Sequence, residues 1–243
     1  MVEPLLENLR TLTRSVAEAL GGATVDRPGL SGSVSSRFDR FLNQLFASPG
    51  VSPQDAVAEL GERPGFVWLA GKPSAEELGA FRLVEMSGMT ATTAAPPGRP
   101  PSHREIGKVQ SHEDLDGWFG VYSEVFGADA RASEEWARIN EVLGPEGDGS
   151  LLLLVARVDG RPAATGAVFF QQDTAGLYCF TTLERMRGRG LASALVHASH
   201  EAARERGIER AVLQATGSGR RVYARAGYRE ERSLPLLRPS LDA

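Results

Sequence analysis

The chain has 243 residues, 42% of them hydrophobic and 24% charged, with a net charge of −4, which suits one large or two small buried cores in a soluble protein. Its longest apolar run, Leu151 to Ala156, is far too short to cross a bilayer, and Glu3 and Glu7 sit where a secretory signal would be basic. Cys179 is the single cysteine, so an internal disulfide is excluded and a reducing, cytoplasmic setting with no membrane contact is expected. In chain order, Leu5, Leu9, Leu12, Val16 and Leu20 share one face of a helix over Pro4 to Leu20, stopped by Gly21-Gly22. Ser36 reads as the cap of a second helix bearing Phe38, Phe41, Leu42 and Leu45. Ser52-Pro53 starts a third, which Gly61 ends. Phe66 to Leu69 reads as a buried strand, Ser74 with Glu77 as the capping box of a short helix to Phe81, and Val84 to Thr92 as another strand. Residues 1–92 are therefore expected to form a helix-rich N-terminal subdomain, and nothing in them carries a recognisable chemical constellation.

Residues 93–104 include Pro96-Pro97-Gly98-Arg99-Pro100-Pro101, too rich in proline for a helix or a central strand, and read as an extended linker. After it, Glu105 to Val109 reads as a strand and Ser111 to Phe126 as a helix with Leu115, Trp118, Phe119 and Tyr122 on one side. Ser133 is the expected cap of a helix to Leu143, with Glu134 and Glu135 in its first turn. Leu151 to Val158, Ala163 to Gln171 and Gly176 to Leu183 read as three successive strands, the first two joined by an Asp159-Gly160 hairpin turn. Residues 105–243 thus form a second domain of mixed α/β (α+β) class, a central sheet flanked by helices.

The chemistry gathers after the third of these strands. Arg187-Gly188-Arg189-Gly190 opens a helix in which Leu191, Ala194, Leu195, Ala198 and Ala202 recur at helical spacing, and Gly207 stops it. The first amides of a helix have no internal partner and carry the positive end of its dipole. Glycines at 188 and 190 let a ligand approach that backbone, and Arg185, Arg187 and Arg189 add full charge. Such a turn suits a phosphate or pyrophosphate, although a plain tight turn with solvated arginines has the same composition. Ala211-Val212-Leu213 then begins a buried strand, and Tyr223-Ala224-Arg225-Ala226-Gly227-Tyr228 follows it.

In these two blocks and their spacing the sequence resembles the GNAT (general-control-related N-acetyltransferase) superfamily of acyltransferases. Arg187-Gly188-Arg189-Gly190-Leu191-Ala192 fits that family's pyrophosphate loop; a register beginning at Arg185 also fits but starts the helix too late. The tyrosine followed by Gly-Tyr, at 223 and 227–228, fits its next block. Many members carry an asparagine where this chain has Thr216, whose hydroxyl offers a similar hydrogen bond. The resemblance covers roughly residues 105–237 and implies a GNAT-like mixed sheet, with an N-terminal half that resembles a partial copy of it. It implies acetyl-CoA as acyl donor, bound through the strand backbone at Phe180, Thr181 and Thr182 and through Arg187, Gly188, Arg189, Gly190, Leu191, Ala192, Ser193 and Thr216. Tyr223 takes the place of the general acid, a phenol that keeps its proton at neutral pH. The implied activity is N-acetyl transfer to a small-molecule amine, with homodimers common among relatives; the alternative is a non-catalytic acyl-CoA-binding regulatory or scaffold protein. Glu124 and Asp129 lie near the expected acceptor cleft, but neither has a motif behind it, so no general base is assigned.

Other readings are weaker. Trp118, Tyr122, Phe126 and Trp136 sit at a spacing more typical of plain core than of an acceptor pocket. His197, His200 and Glu201 share a helix without a zinc-peptidase pattern, so no metal is expected. Gly188-x-Gly190-x-x-Ser193 is a degenerate dinucleotide fingerprint, yet the following strand ends in Gln214-Ala215-Thr216 with no acid for a ribose. The arginines of the C-terminal half lack interleaved aromatics, so nucleic acid is not an expected partner.

Overall fold

The computed structural model describes residues 4–79, 81–94 and 105–238. The first part runs α1 (Pro4–Leu20), β1 (Ala23–Arg27), β2 (Leu30–Val34), β3 (Asn43–Ala47), α2 (Pro53–Ala58), β4 (Phe66–Leu69), α3 (Ala75–Leu78) and β5 (Arg82–Thr92). The second runs β6 (Glu105–Lys108), α4 (His112–Phe126), α5 (Ala132–Leu143), β7 (Leu151–Val158), β8 (Arg161–Gln171) and β9 (Thr174–Thr182), then α6 (Leu191–Arg204), β10 (Arg210–Ala215), α7 (Gly217–Arg225) and β11 (Arg229–Arg238). From residue 95 onward the proline-rich segment lies outside the described residues.

The strands of the described residues join one 11-stranded sheet in the order β1-β2-β3-β4-β11-β5-β10-β9-β8-β7-β6. The β6–β9 run is an antiparallel meander, while β9–β10 and β3–β4 are parallel. The β7–β8 turn has both Asp159 (φ 51°) and Gly160 (φ 73°) in the left-handed region, the geometry whose twist matches a tight hairpin. Strand β5, from the first part of the chain, sits between β10 and β11 of the second. Helices α1, α4 and α5 cover one face, where Leu9, Trp118, Trp136, Ile139, Leu153 and Phe169 are buried together. Helix α6 covers the other over Leu152, Leu154, Val168, Leu177 and Leu213.

The N-terminal part differs from expectation. It holds five strands, β1 to β5, and no helix follows Ser36. There the Ser36 hydroxyl accepts from the amides of Phe38 (2.9 Å) and Asp39 (2.8 Å), and the Asn43 side chain accepts from the amides of Ser35 and Ser36. These side chains offer the backbone local partners in place of helical ones, and the chain makes only a 3-10 turn, Arg40–Leu42, before β3 pairs with β2 and β4. Ser133 is not a cap either. Helix α5 starts a residue earlier with no side-chain cap, and Asp129 accepts from the Arg131 amide just ahead of it.

Candidate active site

Strands β9 and β10 pair from Thr174↔Arg210 to Leu177↔Leu213 and then part. Beyond that point each keeps only its outer neighbour. β9 runs on with β8 to Thr182↔Ala164, and β10 runs on with β5 to Ala215↔Ser87. The cause lies at Cys179, which adopts φ 55° and shifts the β8–β9 register between Thr165 and Ala167. The Thr165 hydroxyl donates to the Cys179 carbonyl (3.1 Å) and holds this bulge. Opposite it, Gly166 has no side chain, and the Phe180 ring occupies the space a Cβ would need. Phe180, Thr181 and Thr182, all half-buried, therefore line a wedge whose inner backbone edge has no strand partner.

The mouth of α6 closes the wedge. After Leu183 a 3-10 turn over Glu184–Met186 leads to Gly188 (φ 75°) and Gly190 (φ 72°), both left-handed. Gly190 is the N-cap, so no side chain satisfies the first amides, and the first helical bond runs from the Ala194 amide to the Gly190 carbonyl. Arg187, Gly188, Arg189, Gly190 and Ser193 are exposed, Ala192 is half-buried, and Leu191 sends its side chain into the core. Arg187 lies 3.9 Å from Glu184, and Arg185 pairs with Glu124 of α4 at 2.6 Å. Arg189 has no ion pair among the described residues. The backbone, the charge and the open approach fit a diphosphate.

On the third side, α7 brings Tyr223 beside the wedge. Its ring meets Phe180 edge-on at 6.4 Å and Tyr228 at 5.8 Å. Burial pushes the Tyr223 phenol up, which keeps it protonated at neutral pH, and its hydroxyl makes no hydrogen bond among the described residues. Thr216 is the exposed N-cap residue of α7; its hydroxyl lies 3.2 Å from that of Ser218 and caps nothing. The strand, the loop and the tyrosine expected from the sequence are thus brought together, with Met186 and Leu191 packed beneath.

The surroundings sort the remaining candidates. Trp118, Tyr122 and Trp136 are core, with Trp118 stacked on Tyr122 and Trp136 tilted against Trp118 and edge-on to Tyr122, and of the four aromatics only Phe126 is exposed (45%). Glu124 is ion-paired with Arg185, and the Arg131 guanidinium beside Asp129 holds that carboxyl down at about 2, which makes Asp129 a poor base. His200 is buried, bonded through Nε2 to the Tyr228 hydroxyl (2.9 Å), and burial lowers it to about 4. Among the described residues no three of His, Cys, Asp and Glu gather around a metal position, and no helix is long and apolar enough to cross a membrane.

Sequence reasoning missed Asp39. It is 2% exposed and accepts from the Tyr122 hydroxyl (2.8 Å), Trp136 Nε1 (2.9 Å) and the Phe41 amide (2.9 Å), fixing the 36–42 segment against α4 and α5. It also missed the Cys179 bulge, for which Gly166 inside a strand was the available signal.

Residues 115–228 match the family model for the Acetyltransferase (GNAT) family, a match that supports acetyl transfer in general. The fold is that of solved GNAT structures. A GCN5-related N-acetyltransferase from Kribbella flavida superposes with a TM-score of 0.64 at 19% identity, covering 96% of each chain. One from Sphaerobacter thermophilus gives 0.58 at 17% identity, over 96% of this chain and 92% of its own. A GCN5-related N-acetyltransferase-like protein from Streptococcus suis gives 0.59 at 14%, over 96% and 99%. No curated protein sequence matches the chain.

Proposed function

We propose that the protein is an N-acetyltransferase that moves the acetyl group of acetyl-CoA to the amine of a small molecule. The observation that carries this reading is the wedge between β9 and β10, closed by uncapped amides at one side and by Tyr223 at the other. Acetyl-CoA, when bound, supplies an activated thioester. The amides from Gly188 to Ser193, with Arg187 and Arg189, hold its diphosphate, and Thr216 stands by as a hydroxyl partner. The inner edge of Phe180, Thr181 and Thr182 offers backbone groups to the pantetheine arm. Tyr223 is protonated at neutral pH and stands where it can donate to the departing sulfur; burial raises the phenol, which makes it a weaker acid than a free tyrosine, so its donation depends on the charge that develops on the sulfur. The acceptor amine attacks directly and gives its own proton to solvent, no side chain being assigned as its base.

Purified protein, acetyl-CoA and an amine panel, followed by thiol release, test the reading. Tyr223→Phe is expected to lower kcat by about a hundredfold, within the range for a lost acid, while the acetyl-CoA KM stays put. Full retention of kcat in that variant removes the acid role. Acetyl-CoA binding without thiol release on any amine favours a non-catalytic binding protein.

A further inference from the structure

Three arginines gather on the sheet face that carries α4 and α5, further along β5 from the wedge. Arg82 and Arg238 are direct Cα partners across β5 and β11. Strand alternation puts both on the face of Val84, Met86, Leu234 and Leu236, which pack with Phe41 and Phe66 in the cluster under α4 and α5. Arg40, in the 3-10 turn that carries Phe41, is close enough for its charge, with that of Arg82, to oppose protonation of Arg238, on top of burial. Among the described residues none of the three guanidinium groups has an ion pair or a side-chain hydrogen bond. Asp39, beside Arg40 in sequence, has its oxygens taken by Tyr122, Trp136 and the Phe41 amide. Like charges directly opposite on paired strands weaken a sheet. An anion between them reverses that sign.

The position of this cluster relative to the wedge follows from register. Ser87 pairs with Ala215, the last residue of β10, and Arg82 lies about 16 Å further along β5 at ~3.3 Å per residue. Half-buried Val84, Met86, Phe41 and Phe66 make an apolar floor over this stretch.

We propose that the acceptor is an elongated amine with an anionic group, carboxylate or phosphate, at its far end. That group lies among Arg40, Arg82 and Arg238, the apolar middle crosses Val84 and Met86, and the amine reaches the wedge. The span from amine to anion is about 10–15 Å, set by the strand distance less the reach of the arginine side chains. This inference rests on the acetyltransferase reading for its geometry, and it names the substrate class of that same site.

The test uses the full chain, thiol release, and straight-chain ω-amino acids from hexanoate to dodecanoate against alkylamines of matched length, with ω-aminoalkyl phosphates as a second arm. The expected result is a KM for the longer anionic amines about tenfold below that of the neutral ones, the ratio collapsing in Arg82→Gln and Arg238→Gln. The acetyl-CoA KM and turnover of the neutral amines stay unchanged in both variants. Their Tm does not fall, because removing one of two opposed cations relieves repulsion. The better arm tells carboxylate from phosphate. Equal use of neutral and anionic amines by the wild type overturns the proposal, as does loss of neutral-amine turnover or of Tm in the variants. If no amine releases thiol and acetyl-CoA gives no thermal shift, the acetyltransferase reading fails instead. The anion site is then judged by whether ω-aminododecanoate raises the Tm of wild type and not of Arg238→Gln; no rise in wild type refutes it.

Discussion

Gly166→Ala is a one-methyl test of how the wedge is held open. The new Cβ would lie 2.7, 2.8 and 3.1 Å from three atoms of the Phe180 ring, where carbon contacts normally begin near 3.5 Å. The φ of Gly166 is not in the left-handed region, so alanine brings no backbone strain and the effect is steric. The ring must therefore shift by about 1 Å, and Tyr223 packs edge-on against that same ring at 6.4 Å between centroids. Overpacking of this kind costs about 1–3 kcal/mol, offset by the ~0.5–1 kcal/mol that alanine gains over glycine in a strand. A net loss of about 1 kcal/mol lowers Tm by roughly 2–4 °C for a chain of this size. The displaced ring narrows the wedge, so acetyl-CoA affinity falls several-fold, read by calorimetric titration. Phe180→Ala in the same background removes the clash, and the double-mutant cycle should return a coupling of about 1 kcal/mol. An unchanged Tm and acetyl-CoA affinity in Gly166→Ala, or strict additivity in the cycle, refutes the wedge argument.

Gly188→Ala meets no neighbour, so its cost is the left-handed backbone alone, about 1–2 kcal/mol, and thermal melts should show that loss together with weaker acetyl-CoA binding. Asp39→Ala leaves the donors of Tyr122, Trp136 and Phe41 buried without an acceptor, so urea unfolding should show a loss of about 3–5 kcal/mol. His200 titrates at about 4 when folded and at its ordinary 6.5 when unfolded, so between those values the unfolded chain binds more protons and stability rises with pH. Its contribution is full above pH 6.5 and falls away toward pH 4, by about 3 kcal/mol from a shift of that size; His200→Phe should flatten that part of the stability–pH curve.

The parts of this structure that short-range chemistry dictates were legible in the sequence. The helix expected over Ser111 to Phe126 forms as α4, Asp159-Gly160 turns β7 into β8, Gly190 starts α6 and the Ser74–Glu77 box forms as drawn. Each of these is decided within a few residues. The errors came where side chains compete with the helix or where partners lie far off in sequence. Phe38, Phe41, Leu42 and Leu45 have helical spacing, but Ser36, Asp39 and Asn43 capture the local amides and β2 and β4 claim what remains. The loop and the tyrosine of the site were readable because they are local blocks. The bulge at Cys179 and the pairing of Arg82 with Arg238 arise from strands distant in the chain, and no periodicity announces them.

That distance also explains what the N-terminal part does for the site. A strand that leaves its neighbour to open a wedge must be held on its other side, or its backbone groups go unpaired. β10 leaves β9 after Leu213, and from there Gln214 and Ala215 pair with Gly88 and Ser87 of β5. The same β5 residues face Arg232 and Ser233 of β11 on their other edge, so one N-terminal strand braces both C-terminal strands at the level of the opening. Gly88 has no room for a side chain there, because Leu5 of α1 and Leu234 of β11 close over it, and the Gln214 side chain donates to the Leu5 carbonyl at 2.6 Å. The first helix is thereby fastened to the strand that forms one wall of the wedge. A cleft of this kind is a property of the strands on both sides of it, and here one of those sides comes from the part of the chain that carries no motif.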